Sequence, residues 1–465
     1  MKQLVALLAA ALLLSACGGG GGGGSTVTST SGAPPSNTTI QINLGDDPAD
    51  RLVAASVTIN SMSLISASGG SVAVMSAPRP MEMMRLMGAV APLAMAGVPQ
   101  GTYTGATMTF GASMVTYVDS TTGLPVQRTV PGPMTTTVMF GSPLVVGSTP
   151  MVVNLDMNMA SSFGIDAAGN VSMSPSLSEF HNPAVAGSAD PEDGGMRGLT
   201  GMVGSVGGTT FTLTMTQGMS GVSLATGTGT QYAGMSGMGM MGGGILVSVD
   251  TTMLPDGSWM ANRVQLRMAA GGSMAAGVVT SRTGTPPTQL VLVMHDGTGS
   301  GMLAANLAGT TTVNVSDTTV FSIDSRDVDL NNLPFTPRFD RATVTSGQRI
   351  ETSSSGQMMQ GGGMQGMNGG GTLTATSITL GQQGLRGTVS GYTQTGSQAR
   401  FTLTVPADSS FAKLTGVTTV TVYQQASTKL RGLSNITNGS VVQVRGLVFP
   451  DGGAFKVVAG RIRNA

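Results

Sequence analysis

Phe401-Thr402-Leu403-Thr404-Val405 alternates apolar and hydroxyl side chains over five positions. A period of two puts Phe401, Leu403 and Val405 on one face of a strand and the two threonines on the other. The same pattern stands at Phe211-Thr212-Leu213-Thr214-Met215, and a fully apolar version at Leu290-Val291-Leu292-Val293-Met294. Each stretch follows a Gly-x-Val step: Gly201-Met202-Val203, Gly277-Val278-Val279 and Gly387-Thr388-Val389. Each is followed by the same succession. A short apolar strand comes at 222–224, 313–315 and 420–422. A Thr-x-hydrophobe step comes next, at Thr230-Gln231-Tyr232, Thr319-Val320-Phe321 and Thr428-Lys429-Leu430. A strand after glycine (245–249, 348–351, 441–444) and a last strand (262–266, 374–380, 456–462) complete the unit. Asp256-Gly257 and Asp451-Gly452 suit a tight turn in the same slot of the first and third units. Such recurrence marks a tandem repeat. Five or six short strands per unit predict small barrels, because closure removes the unpaired edges of a sheet. The units are placed at 198–270, 271–382 and 383–465, the second stretched by insertions at 325–341 and 357–371.

Towards the N-terminus the repeat stops and the alternation continues. Ile40, Ile42 and Leu44 alternate before Asp46-Asp47-Pro48, and Val57, Ile59 and Leu64 point inward from a second strand. Further strands are expected at 72–74, 106–110, 115–118, 135–140 and 151–157, with a Met-rich segment from Met81 to Met95 that has the spacing of an amphipathic turn. Short strands separated by Gly and Pro turns predict a β-sandwich over 39–180. Residues 181–197, with Asp190, Glu192 and Asp193, read as an acidic linker. The whole is expected to be all-β: a β-sandwich followed by three small OB-like β-barrel repeats.

Two family resemblances attach to these residues. The repeats, the third most cleanly, resemble the bacterial domain of unknown function 5666, which implies OB-like units. Asp47-Pro48 before a long strand, Pro99-x-Gly101-x-Tyr103 before another, and Val152-Val153-Asn154-Leu155 resemble the exported bacterial domain of unknown function 4382. Neither resemblance brings catalytic residues to carry over.

The first residues read as an address. Lys2 precedes eleven apolar residues, Leu4 to Leu14, a run too short to span a bilayer and of secretory-signal type. Leu14-Ser15-Ala16-Cys17 resembles the lipobox of bacterial lipoproteins, and Cys17 is the single cysteine. That resemblance implies removal of 1–16 as a signal peptide, diacylglycerol on the Cys17 sulfur and acylation of the new amino terminus; Gly18 after the cysteine leans towards the outer membrane. Residues 17–38, with an unbroken glycine run from Gly18 to Gly24, form a flexible tether. The expected location is therefore the cell envelope, on a membrane through the lipid.

Charged residues make up only 9%, while apolar residues reach 40% in clear alternation, which argues for packed sheets over disorder. The formal net charge is +0 but uneven: the last 85 residues hold nine basic and two acidic side chains. A basic last unit suits acidic envelope polymers or other envelope proteins as partners; nucleic acid is not expected outside the cytoplasm.

No catalytic constellation emerges. Gly237-Met238-Gly239-Met240-Met241-Gly242 fits Gly-x-Gly-x-x-Gly, but a strand follows it where a dinucleotide site needs a helix. His181 and His295 are the two histidines, too few for zinc, and His295-Asp296-Gly297 reads as a polar turn. Asp327-Val328-Asp329-Leu330-Asn331 alternates like a calcium loop but has Asn332 where glycine belongs and Arg338 in place of the closing glutamate. The expected function is a structural, adhesive or ligand-binding role at the envelope, without enzyme activity. The alternative is Cu(I) handling by methionine loops, since thioethers are soft ligands. Its candidate ligands are Met235, Met238, Met240 and Met241 in one glycine-rich loop and Met358, Met359, Met364 and Met367 in another. An envelope enzyme acting on polysaccharide ranks third.

Overall fold

The computed structural model describes residues 36–47, 50–75, 77–86, 90–219, 221–299, 302–303, 307–356 and 371–464. Cys17, the leader, the glycine run and the loop carrying Met358, Met359, Met364 and Met367 lie outside the described residues.

The N-terminal part is a sandwich of two sheets. One has the order Leu177–Pro183, Met151–Asn158, Asn37–Asp47, Val90–Pro99, with its central pair parallel. The facing sheet is built on Leu52–Ser66, flanked by Ser113–Val118 and Gly101–Phe110, with Pro125–Val130 and Met134–Val146 outermost. Ile40, Ile42 and Leu44 meet Val57, Ile59, Leu64 and Met108 across the gap, as the alternation requires. The Met-rich segment is not an amphipathic helical turn. Arg79–Glu82 is a strand paired with Leu52–Ser66, and Met81, Met83 and Met84 are buried in the sandwich core.

The three repeats share one pairing scheme. In the third, Gln383–Thr395, Gln398–Thr404, Thr419–Arg431, Val441–Asp451 and Ala454–Asn464 close into a barrel of order first, second, third, fifth, fourth. The third and fifth strands run parallel and the other pairs antiparallel. The first repeat has the same scheme, with its third strand split into Val222–Ala225 and Gln231–Ala233, both parallel to Trp259–Met268. In the second, Thr310–Asn314 pairs with Thr372–Thr374 and Val320–Ile323 with Ser377–Leu380, again parallel. The third repeat is a closed barrel; the first is joined across its seam by the single pair Ala225–Met260, and the second keeps the pairing scheme as an open, barrel-like sheet.

Two repeated residues now have physical reasons. A Cβ on Gly201, Gly277 or Gly387 would lie under 3.0 Å from the carbonyl oxygen of Thr214, Val293 or Thr404 on the second strand. The tightly coiled first strand therefore admits only glycine at the Gly-x-Val step. Thr230, Thr319 and Thr428 sit where the third strand breaks. Each hydroxyl accepts the N–H three residues back, from Gly227, Ser316 and Gln425, at 3.0, 3.0 and 2.9 Å. Each donates to an alanine carbonyl: Ala261 and Ala459 in the last strand, and Ala375 between its two halves, at 2.6, 2.6 and 3.0 Å. One threonine thus closes the local turn and pins the barrel seam in every copy.

The repeats are fused to one another and to the sandwich. Residues 36–465 form one compact unit. Leu447, Phe449 and Val458 of the third barrel belong to the core of the second. The insertion at 325–341 covers that seam: Phe335 packs on Tyr423 and Phe449, at ring separations of 5.3 and 6.0 Å, with the Lys456 ammonium 4.5 Å from its centre. The short helix Ser410–Thr415 docks on the sandwich, with the Ser410 hydroxyl donating to the Leu52 carbonyl and the Lys413 ammonium to that of Val118.

The segment 181–197 is not a free linker. The strand from Leu177 runs on to Pro183, a 3₁₀ turn forms at Pro191–Asp193, and the first repeat begins at Met196. The turn is held by the Asn43 and Asn154 amides, which donate to the carbonyls of Pro191 and Glu192. Its acids face the last barrel: Asp190 pairs with Arg431, and Glu192 with Arg431 and Arg461. Arg386 pairs with Asp50 and Arg463 with Asp156. Much of the basic surplus of the last unit is thus matched within the molecule.

Candidate functional site: a polar chamber at the junction

A cavity of about 620 Å³ opens where the sandwich and all three repeats meet. Its walls include Arg85 from the sandwich, Arg197, Asp250 and Arg263 from the first repeat, Arg326, Arg349 and Glu351 from the second, and Arg445 from the third. The size is that of a small-molecule site, but the walls are unusually charged.

Three of the arginines are matched. Arg326 makes two bonds to Asp324, at 2.8 and 2.6 Å, Arg267 pairs with Glu351, and Arg197 with Asp327. The Asp327 loop, which has the spacing of a calcium loop, therefore serves as a charge partner in the chamber wall. Among the described residues, Arg85, Arg349 and Arg445 make no ion pair, and neither does Arg263 of the first repeat. Burial lowers the Arg349 pKa, and it lowers that of Arg445 to about 10; Arg85 adds repulsion at Arg349, and Arg349 at Arg445. Arg349 is held by its Nη1 donating to the Gln382 carbonyl at 3.1 Å. Its backbone N–H donates to Gln383 Oε1, and Gln383 lies opposite Gly446, next to Arg445. Among the described residues, the buried Nε atoms of Arg85 and Arg445 have no hydrogen-bond acceptor.

Behind Arg85 lies a buried polar cluster that ties three bodies together. Glu82 accepts the N–H groups of Ala55, Met84 and Arg85 at 2.7, 3.2 and 2.8 Å. Its own N–H donates to Gln217 Oε1 of the first repeat, and Gln217 Nε2 donates to the His295 carbonyl of the second. His295 is not in a polar turn. It lies inside the strand Pro287–Gly299, fully buried, with Nε2 donating to the Val53 carbonyl at 2.8 Å. Its Nδ1 stands 3.9 Å from Glu82 Oε2. Burial raises the Glu82 pKa to about 8, outweighing its N–H donors and the arginines, and lowers that of His295 to about 3. Near neutral pH the pair holds one proton, on the carboxyl. Asp296, which accepts from the Thr216 hydroxyl and the Gly297 N–H, is likewise pushed up by burial.

Of the two methionine loops, the one carrying Met235, Met238, Met240 and Met241 lies among the described residues. Met241 is buried in the core of the first repeat, with Met235 and Met238 packed against it. The Met238 sulfur accepts the Thr226 hydroxyl at 2.9 Å, the exposed Met240 sulfur the Ser236 N–H at 3.2 Å. Met235, Met238 and Met241 serve packing although no period announces it, because an irregular loop can fold back over a barrel end and flexible Met fills the gap; Met240 stays exposed. His181 sits at the sandwich edge, 3.1 Å from Glu179 and against Phe140. Among the described residues no group of three or more His, Cys, Asp or Glu is placed to hold a metal.

The sequence reading missed the chamber arginines and Glu82. The available signal was an isolated charge inside an apolar run: Glu82 among methionines, Arg445 between Val444 and Leu447. No protein-family model matches the chain, and no curated protein sequence is significantly similar to it.

Proposed function

We propose that this protein is a ligand-binding protein of the cell envelope, carried on a membrane by lipid at Cys17, and that its ligand is a small polar solute held in the junction chamber. The observation that carries the reading is the chamber itself: four folded bodies enclose polar and charged walls, and not all of that charge is used in the ion pairs that join them. Burying polar groups costs stability unless they are hydrogen-bonded, and the buried Nε atoms of Arg85 and Arg445 are not, among the described residues. The binding role agrees with the address read from Leu14 to Cys17. The test is a thermal-shift panel of neutral polyols, amino acids, dicarboxylates and phosphorylated solutes on the mature protein. Stabilisation by one class, lost when Ala276 in the chamber wall is replaced by Trp, supports binding there. A panel without any stabilising class refutes it. Detergent phase separation tests the anchor: wild type enters the detergent phase and Cys17→Ser does not.

A further inference from the structure

Resting on the chamber as the binding site, we infer that its ligand carries a doubly charged oxyanion, of the phosphate-monoester class, seated between Arg85, Arg349 and Arg445. The inference comes from unbalanced charge and unfilled donors. Arg197, Arg267 and Arg326 each have a carboxylate partner, whereas these three arginines, from the sandwich, the second repeat and the third, have none within ion-pair distance among the described residues. Among the carboxylates that attract Arg349 and Arg445, Glu351 and Asp327 are already paired with Arg267 and Arg197. Glu82 is protonated at neutral pH and already occupied by three N–H groups, and Asp296 is pushed towards its neutral form. The corner thus keeps a surplus of positive charge, with buried guanidinium N–H groups of Arg85 and Arg445 aimed at no acceptor among the described residues. Three like charges brought together from three bodies repel one another, and a dianion relieves that repulsion while filling the donors. Planar guanidinium forks match the oxygens of phosphate in pairs.

The size of the cavity sets the rest of the molecule. About 620 Å³ is far more than one oxyanion fills. The remaining walls offer Thr200, Thr216, Gln231, Asn262 and Thr379, which suit hydroxyl groups. The class is therefore a hydroxylated body carrying the dianion.

Calorimetric titration of the full mature chain decides it, with glycerol 3-phosphate, inorganic phosphate, succinate and glycerol as probes. The expected order is glycerol 3-phosphate first and glycerol last. Arg85→Gln and Arg445→Gln should each weaken the phosphate ester about tenfold or more, as expected for a charged hydrogen bond lost. Arg400→Gln, an exposed arginine on the outer face of the third barrel, should leave binding unchanged. Should an arginine variant fail to fold, wild type alone still decides, through glycerol 3-phosphate against its methyl diester, which has lost one charge; equal affinity for the two overturns the inference. So does undiminished ester binding in folded Arg85→Gln and Arg445→Gln, or inorganic phosphate equalling the ester. A neutral polyol binding while every dianion fails overturns the inference and leaves the chamber as a binding site; no binding of any solute removes both.

Discussion

Replacing Glu82 with Gln should change how stability depends on pH, in a way fixed by two buried groups. The Glu82 pKa is raised from 4.5 to about 8, so the folded chain holds one proton more than the unfolded chain between those values. Stability therefore falls by about 1.4 kcal/mol per pH unit as pH rises through that window. His295 is lowered from 6.5 to about 3, so there the unfolded chain holds the extra proton and stability rises with pH. The two slopes cancel between about pH 4.5 and 6.5. What remains is a plateau with an acid limb below it and an alkaline limb above it, the latter worth about 2 kcal/mol between pH 6.5 and 8. In Glu82→Gln the alkaline limb disappears, and the His295 slope is uncovered up to about pH 6.5. The new side-chain amide also faces the Arg85 N–H, but that cost is independent of pH and drops out of the comparison. Urea unfolding followed by fluorescence of the single tryptophan, Trp259, at pH 5.5, 7 and 8.5 gives both curves. Parallel curves for the two proteins between pH 6.5 and 8.5 would show that Glu82 is ionised in the fold and that its three N–H donors outweigh its burial.

Three further outcomes follow from the packing. Thr428→Val should cost about 1–2 kcal/mol in chemical unfolding, because it leaves the Gln425 N–H and the Ala459 carbonyl short of a partner, and Thr230→Val and Thr319→Val should cost similar amounts. Phe449→Ala should cost about 3–5 kcal/mol and open the seam between the second and third barrels, read as protease cleavage near 383 that wild type resists. A fragment of residues 383–465 should keep a strand-type circular dichroism spectrum but associate in solution, since Leu447, Phe449 and Val458 are left uncovered; a monodisperse monomer on gel filtration would contradict the shared core.

The barrels were legible because their inward residues alternate and because closure, a strictly local matter, needs the same glycine and threonine in each copy. The seams were not. Phe449 and Leu447 point out of their own barrel, and an outward apolar residue has the same period as an inward one. Phe449 is covered by Phe335, in an insertion that the sequence presents only as an interruption of the repeat. The chamber was harder still to foresee, since its arginines at 85, 349 and 445 are distant in sequence and become neighbours only after four bodies dock. Residues 181–197 look like a spacer because their acids have no local partner; Arg431 and Arg461, more than two hundred positions on, supply it.

Docking of the last barrel against the sandwich has a consequence for how the chain reaches its final state. The Arg463 guanidinium donates to the carbonyl of Asp46 across 417 positions, and the Ser410 hydroxyl to that of Leu52 across 358. Contacts of such separation form late, because the intervening chain must first be ordered, and folds rich in them are slow to assemble. For the membrane crossing proposed above, that delay matters at one place: the first strands can pair with their sheet neighbours within residues 37–183, but the sandwich cannot complete its docking until the last eighty residues have followed it.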